Sequence, residues 1–189
     1  MVELEKTVIK VLHRTPNNEV GQASGVIISD RHVILSAHQL VDVAQTDLLL
    51  TGQKAVAIER ILFQGLFWLD KLREASDLSY ATIDLAIVES PVSLVHTFVP
   101  AVIDLNPLTE SCEVCVVGYP AGSDLRIARG VATSYRGNYF GISLSDQVYP
   151  GMSGGGVFNQ YNKLIGIYST SDSDDPLFVH AVYLAKVQK

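Results

Sequence analysis

Apolar residues in this chain gather in short β-branched runs, each closed off by turn-forming residues. In the first half the runs are "TVIKVLH", "ASGVIIS", "HVILSA", "TDLLL", "AVAIERILF" and "IDLAIVE". In the second half they are "EVCVVGY", "IARGVATSYRG", "YFGISLS", "GGVFN", "KLIGIYS" and "LFVHAVYL". Runs of this length and spacing predict strands, and their number predicts an all-β barrel or sandwich. Six in each half predict two six-stranded antiparallel barrels side by side, one over residues 1–100 and one over 112–189, together a single domain. The Pro-containing stretch "SPVSLVHTFVPAVIDLNPLTE" is irregular, which places the crossover at its end, over 101–111. The strand rhythm breaks from Phe63 to Ala81, where Leu66, Leu69 and Leu72 with Phe67 and Trp68 predict a short amphipathic insertion. Helix is expected only in "LFWLDKLREAS" and in a last turn or two after Tyr183.

Composition narrows the class. Of 189 residues, 48% are hydrophobic and 18% charged, a globular balance. A net charge of -6 argues against a nucleic-acid partner, since phosphate binding needs clustered cations and Arg126, Arg129 and Arg136 are scattered among apolar residues. No apolar run is long enough to span a bilayer, "ILFQGLFWL" being the nearest. The opening "MVELEKTVIKVLHR" carries acids where a secretory signal has bases, so a cytoplasmic location is expected, or a secreted or periplasmic one if a leader has been removed. Cys112 and Cys115 lie three apart in a β-like run, which sends their side chains to opposite faces and makes them reduced structural thiols.

Candidate chemistry centres on "YPGMSGGGVFN", residues 149 to 159. Ser153 is either a nucleophile or one polar residue in a Gly-rich turn. A serine hydroxyl attacks only with an imidazole to take its proton and a carboxylate to hold that imidazole. Among five histidines, His13 and His32 read as surface or turn residues, His96 lies in the connection and His180 sits in the last apolar strand. His38 closes the apolar "VILSAH", where a strand end lifts a side chain into a cleft. Asp84 stands at the mouth of "IDLAIVE", where a carboxylate needs a partner, whereas Asp47 and Asp77 have polar surroundings.

Taken together, "SGVIISDRHVILSAH", "IDLAIVE", "VVGYP" and "YPGMSGGGVFNQYNKLIGIYS" resemble the trypsin-like serine peptidases, bacterial Htr-type members more than digestive enzymes. The resemblance runs from about Ala23 to Tyr183 and has His38, Asp84 and Ser153 in family order, 46 and 69 residues apart. It implies a double barrel with the active site in the cleft between barrels. It also implies His38 as general base, Asp84 as its orienter, Ser153 as nucleophile, and the Gly151 and Ser153 amides as an oxyanion hole. Peptide or protein is the implied substrate, acting through an acyl-enzyme, with no metal or organic cofactor. Oligomeric state is left open.

The chain departs from the family at several places. Met152 replaces the acid that receives a newly cleaved N-terminus in trypsin-type zymogens, so activation by N-terminal cutting is not expected. Gly156 replaces a proline, Ser36 a threonine, Gln39 follows the histidine, and no cysteine flanks His38. No C-terminal peptide-binding module is expected after Lys189. By resemblance the primary pocket is bounded by "SDQVY" and "YSTS", with Gln147 near its base and Ser169, Thr170 and Ser171 along a wall. Without an acid at that base, a small polar or apolar substrate residue is expected, ahead of His180 selecting acidic or glutamine side chains. The run "SDSDDP" is expected to be a solvated loop, ahead of a calcium site. Two rival functions remain: a fold that has lost turnover and only binds, and a narrow protease that processes itself or one partner.

Overall fold

A computed structural model describes residues 4–50, 54–65, 83–109, 111–172 and 174–187 of the chain. Among the described residues thirteen strands form two sheets. The first holds β1 (Val8–Arg14), β2 (Val20–Ile27), β3 (His32–Leu35), β4 (Gln45–Leu49), β5 (Ala55–Ala57), β6 (Arg60–Gln64) and β7 (Ala86–Glu89), in the order β5-β4-β1-β2-β3-β7-β6. The second holds β8 (Glu113–Gly118), β9 (Arg126–Arg136), β10 (Tyr139–Leu144), β11 (Gly156–Asn159), β12 (Leu164–Ser171) and β13 (Phe178–Tyr183), closed as the barrel β10-β13-β12-β11-β8-β9. All pairings between these strands are antiparallel.

The run "AVAIERILF", expected as one strand, is divided between the two edges of the first sheet. Its first part pairs with β4 and its second with β7. At the corner between them Ile58 N–H donates to Thr46 and Glu59 N–H to Glu89, so one bent segment connects the two edges of a half-barrel sheet, where a closed barrel was expected. Corners of this kind let a strand leave one neighbour for another without losing backbone hydrogen bonds. Counted with that bent strand as one, the first lobe has the six strands expected.

Alternation along each strand sorts side chains between three cores. Ile9 and Val11 of β1 enter the first-lobe core with Leu35 and Leu48, whereas Val8 turns to the seam between lobes. Val114 and Val116 of β8 enter the second barrel with Phe140 and Ile142, whereas Val117 faces the seam with Tyr139 and Phe158. The seam core is therefore continuous from one lobe to the other, and it fixes how their loops meet. Cys112 packs against the barrel core and Cys115 against the seam; both are free thiols whose pKa burial pushes up. A 3-10 turn over Leu184–Lys186 follows β13. The insertion expected from Phe63 to Ala81 falls mostly outside the described residues, and no helix among them is long and apolar enough to cross a membrane.

Candidate active site

His38 is carried by a 3-10 turn, Ala37–Leu40, that follows β3 after one extended residue, Ser36. Asp84 lies two residues before β7, where Leu85 N–H folds back onto the Ile83 carbonyl at 2.9 Å. That tight turn takes Asp84 out of the ladder and sends its carboxylate to His38. The Asp84 side chain is 0% exposed and accepts three hydrogen bonds: His38 backbone N–H to Oδ1 at 2.8 Å, His38 Nδ1 to Oδ2 at 2.8 Å, and Ser169 Oγ to Oδ2 at 2.5 Å. Buried carboxylates persist only with this degree of satisfaction. A carboxylate oxygen already taking the Ser169 proton accepts from Nδ1, so Nδ1 carries a proton in this contact. The His38 side chain is 28% exposed, whereas its aspartate partner is enclosed.

A tyrosine joins this arrangement from the second lobe. Tyr139 at the start of β10 accepts the Asp84 backbone N–H on its phenol oxygen at 2.9 Å. Burial pushes its phenol far above the usual tyrosine range, so it stays protonated. Sequence reasoning missed Tyr139 because nothing in "GNYFGIS" distinguishes it from a core aromatic.

Ser153 sits in the turn between β10 and β11, and nearly every peptide of that turn is pinned. The Pro150 carbonyl accepts Ala121 N–H at 2.8 Å and the Gly151 carbonyl accepts Ser24 Oγ at 2.9 Å. The Met152 carbonyl accepts Gly155 N–H at 2.9 Å. The Ser153 carbonyl accepts both Ser24 N–H at 2.9 Å and Gln39 Nε2 at 2.6 Å. In a planar trans peptide the N–H points opposite to the carbonyl, so the pins on Pro150 and Met152 aim the amides of Gly151 and Ser153. Neither amide meets an intramolecular acceptor among the described residues. Gly151 makes the turn with φ +97 and Gly154 with φ +82, which L side chains rarely adopt. A Cβ on Gly154 would also stand 2.1 Å from the Ser24 carbonyl oxygen and 2.3 Å from Gln39 Nε2.

Met152 is 0% exposed and belongs to the core of the second barrel, between residues that place their backbone at the surface. Its side chain is an apolar anchor under the turn. The loop and the His38 turn also share a contact: the Tyr168 carbonyl accepts from Ser36 Oγ at 2.9 Å and from Gly154 N–H at 2.8 Å. These bonds bring the neighbourhoods of His38, Asp84 and Ser153 to one seam between the lobes.

The expected pocket residues separate. Gln147 and Ser171 are exposed and Thr170 is half-buried at the end of β12. Ser169, expected on a pocket wall, is instead 1% exposed with its hydroxyl committed to Asp84, because the side chain at that strand position points to the seam. His180 is half-buried in β13 with its ring edge-on to Phe178 at 5.2 Å. His13, expected at the surface, is half-buried with its ring across Gly21; burial lowers its pKa and the nearby His38 adds to that. In the acidic loop, Asp172 and Asp175 turn carboxylate oxygens onto the backbone N–H of Asp174 and Leu177, both at 2.9 Å, as turn-capping residues do.

Comparison with known proteins agrees with this fold. Residues 23–167 match the model of the trypsin-like peptidase domain. No curated protein matches the sequence. Among solved structures, the Rv3671c protease from M. tuberculosis in its active form is similar at 20% identity and TM-score 0.72, over 97% of this chain and 78% of that one. The serine endoprotease from Yersinia pestis is similar at 19% identity and TM-score 0.74, over 97% of this chain and 60% of that one. The HtrA-type protease AlgW, solved with a tripeptide, is similar at 14% identity and TM-score 0.72, over 95% of this chain and 57% of that one. These likenesses carry the double-barrel fold. With the family model spanning most of the chain, the protein belongs to the trypsin-like peptidase domain family and is a serine-type peptidase.

Proposed function

We propose that the chain is an endopeptidase whose nucleophile is Ser153, with His38 as general base and Asp84 as the group that orients it. The observation that carries this reading is the buried Asp84 carboxylate bonded to His38 Nδ1, together with a pinned turn at Ser153 whose Gly151 and Ser153 amides meet no backbone acceptor among the described residues. His38 Nε2 takes the Ser153 Oγ proton as oxygen attacks the scissile carbonyl carbon. The oxyanion is received by the N–H groups of Gly151 and Ser153. His38 then returns the proton to the departing amine, leaving an ester on Ser153. Water, deprotonated by His38, cleaves that ester and restores the serine. This chemistry needs no metal or organic cofactor. The preferred substrate side chain in this reading is small and polar or apolar, with accessible Gln147, Thr170 and Ser171 as the residues to contact it.

Hydrolysis of a mixed peptide pool tests the assignment. Ser153→Ala, His38→Ala and Asp84→Asn should each lower kcat by about a thousandfold or more, and the Ser153→Ala/His38→Ala double variant should be no slower than either single one. Losses that multiply, or single variants within about tenfold of wild type, would sink it.

A further inference from the structure

The turn bearing Ser153 belongs to the second lobe, yet the Gly151 and Ser153 carbonyls are held by the first. Ser24, on β2, donates its hydroxyl to the Gly151 carbonyl at 2.9 Å and its backbone N–H to the Ser153 carbonyl at 2.9 Å. The same hydroxyl accepts Tyr119 N–H at 2.8 Å, which fixes its rotor so that its proton can point only at Gly151. Gln39, the residue after His38, donates Nε2 to the Ser153 carbonyl at 2.6 Å and to the Ser24 carbonyl at 3.4 Å. Its amide orientation is dictated, since the opposite one would set Oε1 against two carbonyl oxygens. Both side chains are enclosed, Ser24 at 0% and Gln39 at 4% exposure.

Gln39 makes these bonds at a cost. Its Oε1 is buried and meets no donor among the described residues. A buried acceptor without a protein donor adds nothing to stability, so the value of this side chain lies in what its Nε2 holds. What the amide maintains here is the orientation of the peptide that follows Ser153. Gly154 records the same constraint, since only a residue without Cβ leaves room for Gln39 and the Ser24 carbonyl. Because Gln39 and His38 are consecutive on one 3-10 turn, the element that positions the base also grips the backbone of the nucleophile.

Resting on the triad assigned above, we infer that Ser24 and Gln39 are positioning residues that hold the oxyanion loop in its receptive form from the opposite lobe. Neither touches substrate. They act on the peptides of the Gly151 and Ser153 carbonyls, which lie on either side of the peptide carrying Ser153 N–H and next to the one carrying Gly151 N–H. A loop gripped in this way has no need of a charged anchor beneath it, which fits the apolar Met152 in that place.

The experiment uses Gln39→Met, which keeps length and apolar bulk but removes the donor, and Ser24→Ala, which removes the hydroxyl and keeps the N–H. Three quantities are read on folded protein: kcat and KM on a cleavable peptide, affinity for a peptide boronate that forms a tetrahedral adduct with the serine, and affinity for the matching product acid. Misplacing one oxyanion donor costs about a hundredfold or more when it is lost outright, so a partial shift should lower kcat about ten- to hundredfold. Boronate affinity should fall by the same factor, with KM and product affinity within about twofold. A role confined to folding would move Tm and leave kcat and boronate affinity of the folded fraction intact, and that result overturns the inference. So does a kcat within about twofold of wild type in both variants. If Gln39→Met does not fold, Ser24→Ala decides alone. Failure of the triad itself is told apart, because wild-type hydrolysis would then survive Ser153→Ala.

Discussion

Replacing Met152 by alanine removes the anchor beneath the nucleophile turn. The side chain is 0% exposed among the barrel residues Val116, Ile142 and Val157. Three heavy atoms beyond Cβ are lost, at about 0.8 kcal/mol each for transfer alone, or about 2.4 kcal/mol. Incomplete collapse of the cavity brings the loss to about 3 kcal/mol, inside the range for buried Met→Ala changes. For a chain of this size each kcal/mol lowers Tm by about 2–4 °C, so the midpoint should fall by about 6–12 °C. Met152→Leu conserves volume and should cost under about 1.5 kcal/mol. Thermal unfolding followed by circular dichroism measures both, with peptide hydrolysis read well below either midpoint. Met152→Ala should lose more activity than its folded fraction explains, since the peptides aiming the two amides flank the missing side chain. An alanine variant that melts within about 2 °C of wild type would refute the placement of this side chain in the core.

Other consequences follow from single contacts. Tyr139→Phe strips the acceptor from the Asp84 N–H, which should cost about 1–3 kcal/mol in chemical denaturation, while an unchanged midpoint would show that the phenol holds nothing. Gly154→Ala places a Cβ 2.1 Å from the Ser24 carbonyl at φ +82, so hydrolysis should be abolished; a fully active variant would contradict the turn geometry. Glu89 is held below its ordinary value of 4.5, first by its hydrogen bond with Arg60 and then by the charges of Arg60 and Arg31. A depressed carboxylate stabilises above its unfolded pKa and loses that contribution as pH falls through the folded one. The stability gap between wild type and Glu89→Gln should therefore narrow as pH drops below 4.5, and a gap constant through that window would dismiss the pairing. An N-terminal tag should leave hydrolysis unchanged, because Met152 offers no carboxylate to a new amine; activity appearing only on removal of the tag would reverse that conclusion.

The strands were legible because burial on a pleated sheet imposes a period that survives in sequence. The corner at Ile58 and Glu59 was not. It carries neither glycine nor proline, and a strand changing partners in mid-run keeps its apolar pattern. His38, Asp84 and Ser153 stood out because each breaks an apolar or Gly-rich context with a group that must be paired. Their supports did not. Ser169 in "YSTS" reads by resemblance as a pocket-wall residue, and its burial depends on an aspartate supplied by the other lobe. Ser24, Gln39 and Tyr139 likewise acquire meaning only from partners between 55 and 127 residues away, which local pattern cannot report. Met152 was visible as a departure, but the direction of its side chain belongs to the closed barrel.

The most direct test of the account is covalent labelling with a fluorophosphonate, read by intact mass and peptide mapping, in wild type and Ser153→Ala. The probe needs an activated serine and a receptive oxyanion site and little else. The account predicts one adduct per chain, mapped to Ser153 and absent from the alanine variant. A folded wild-type chain that takes no adduct, or one that carries it on another residue, would contradict the claim that Ser153 is the nucleophile.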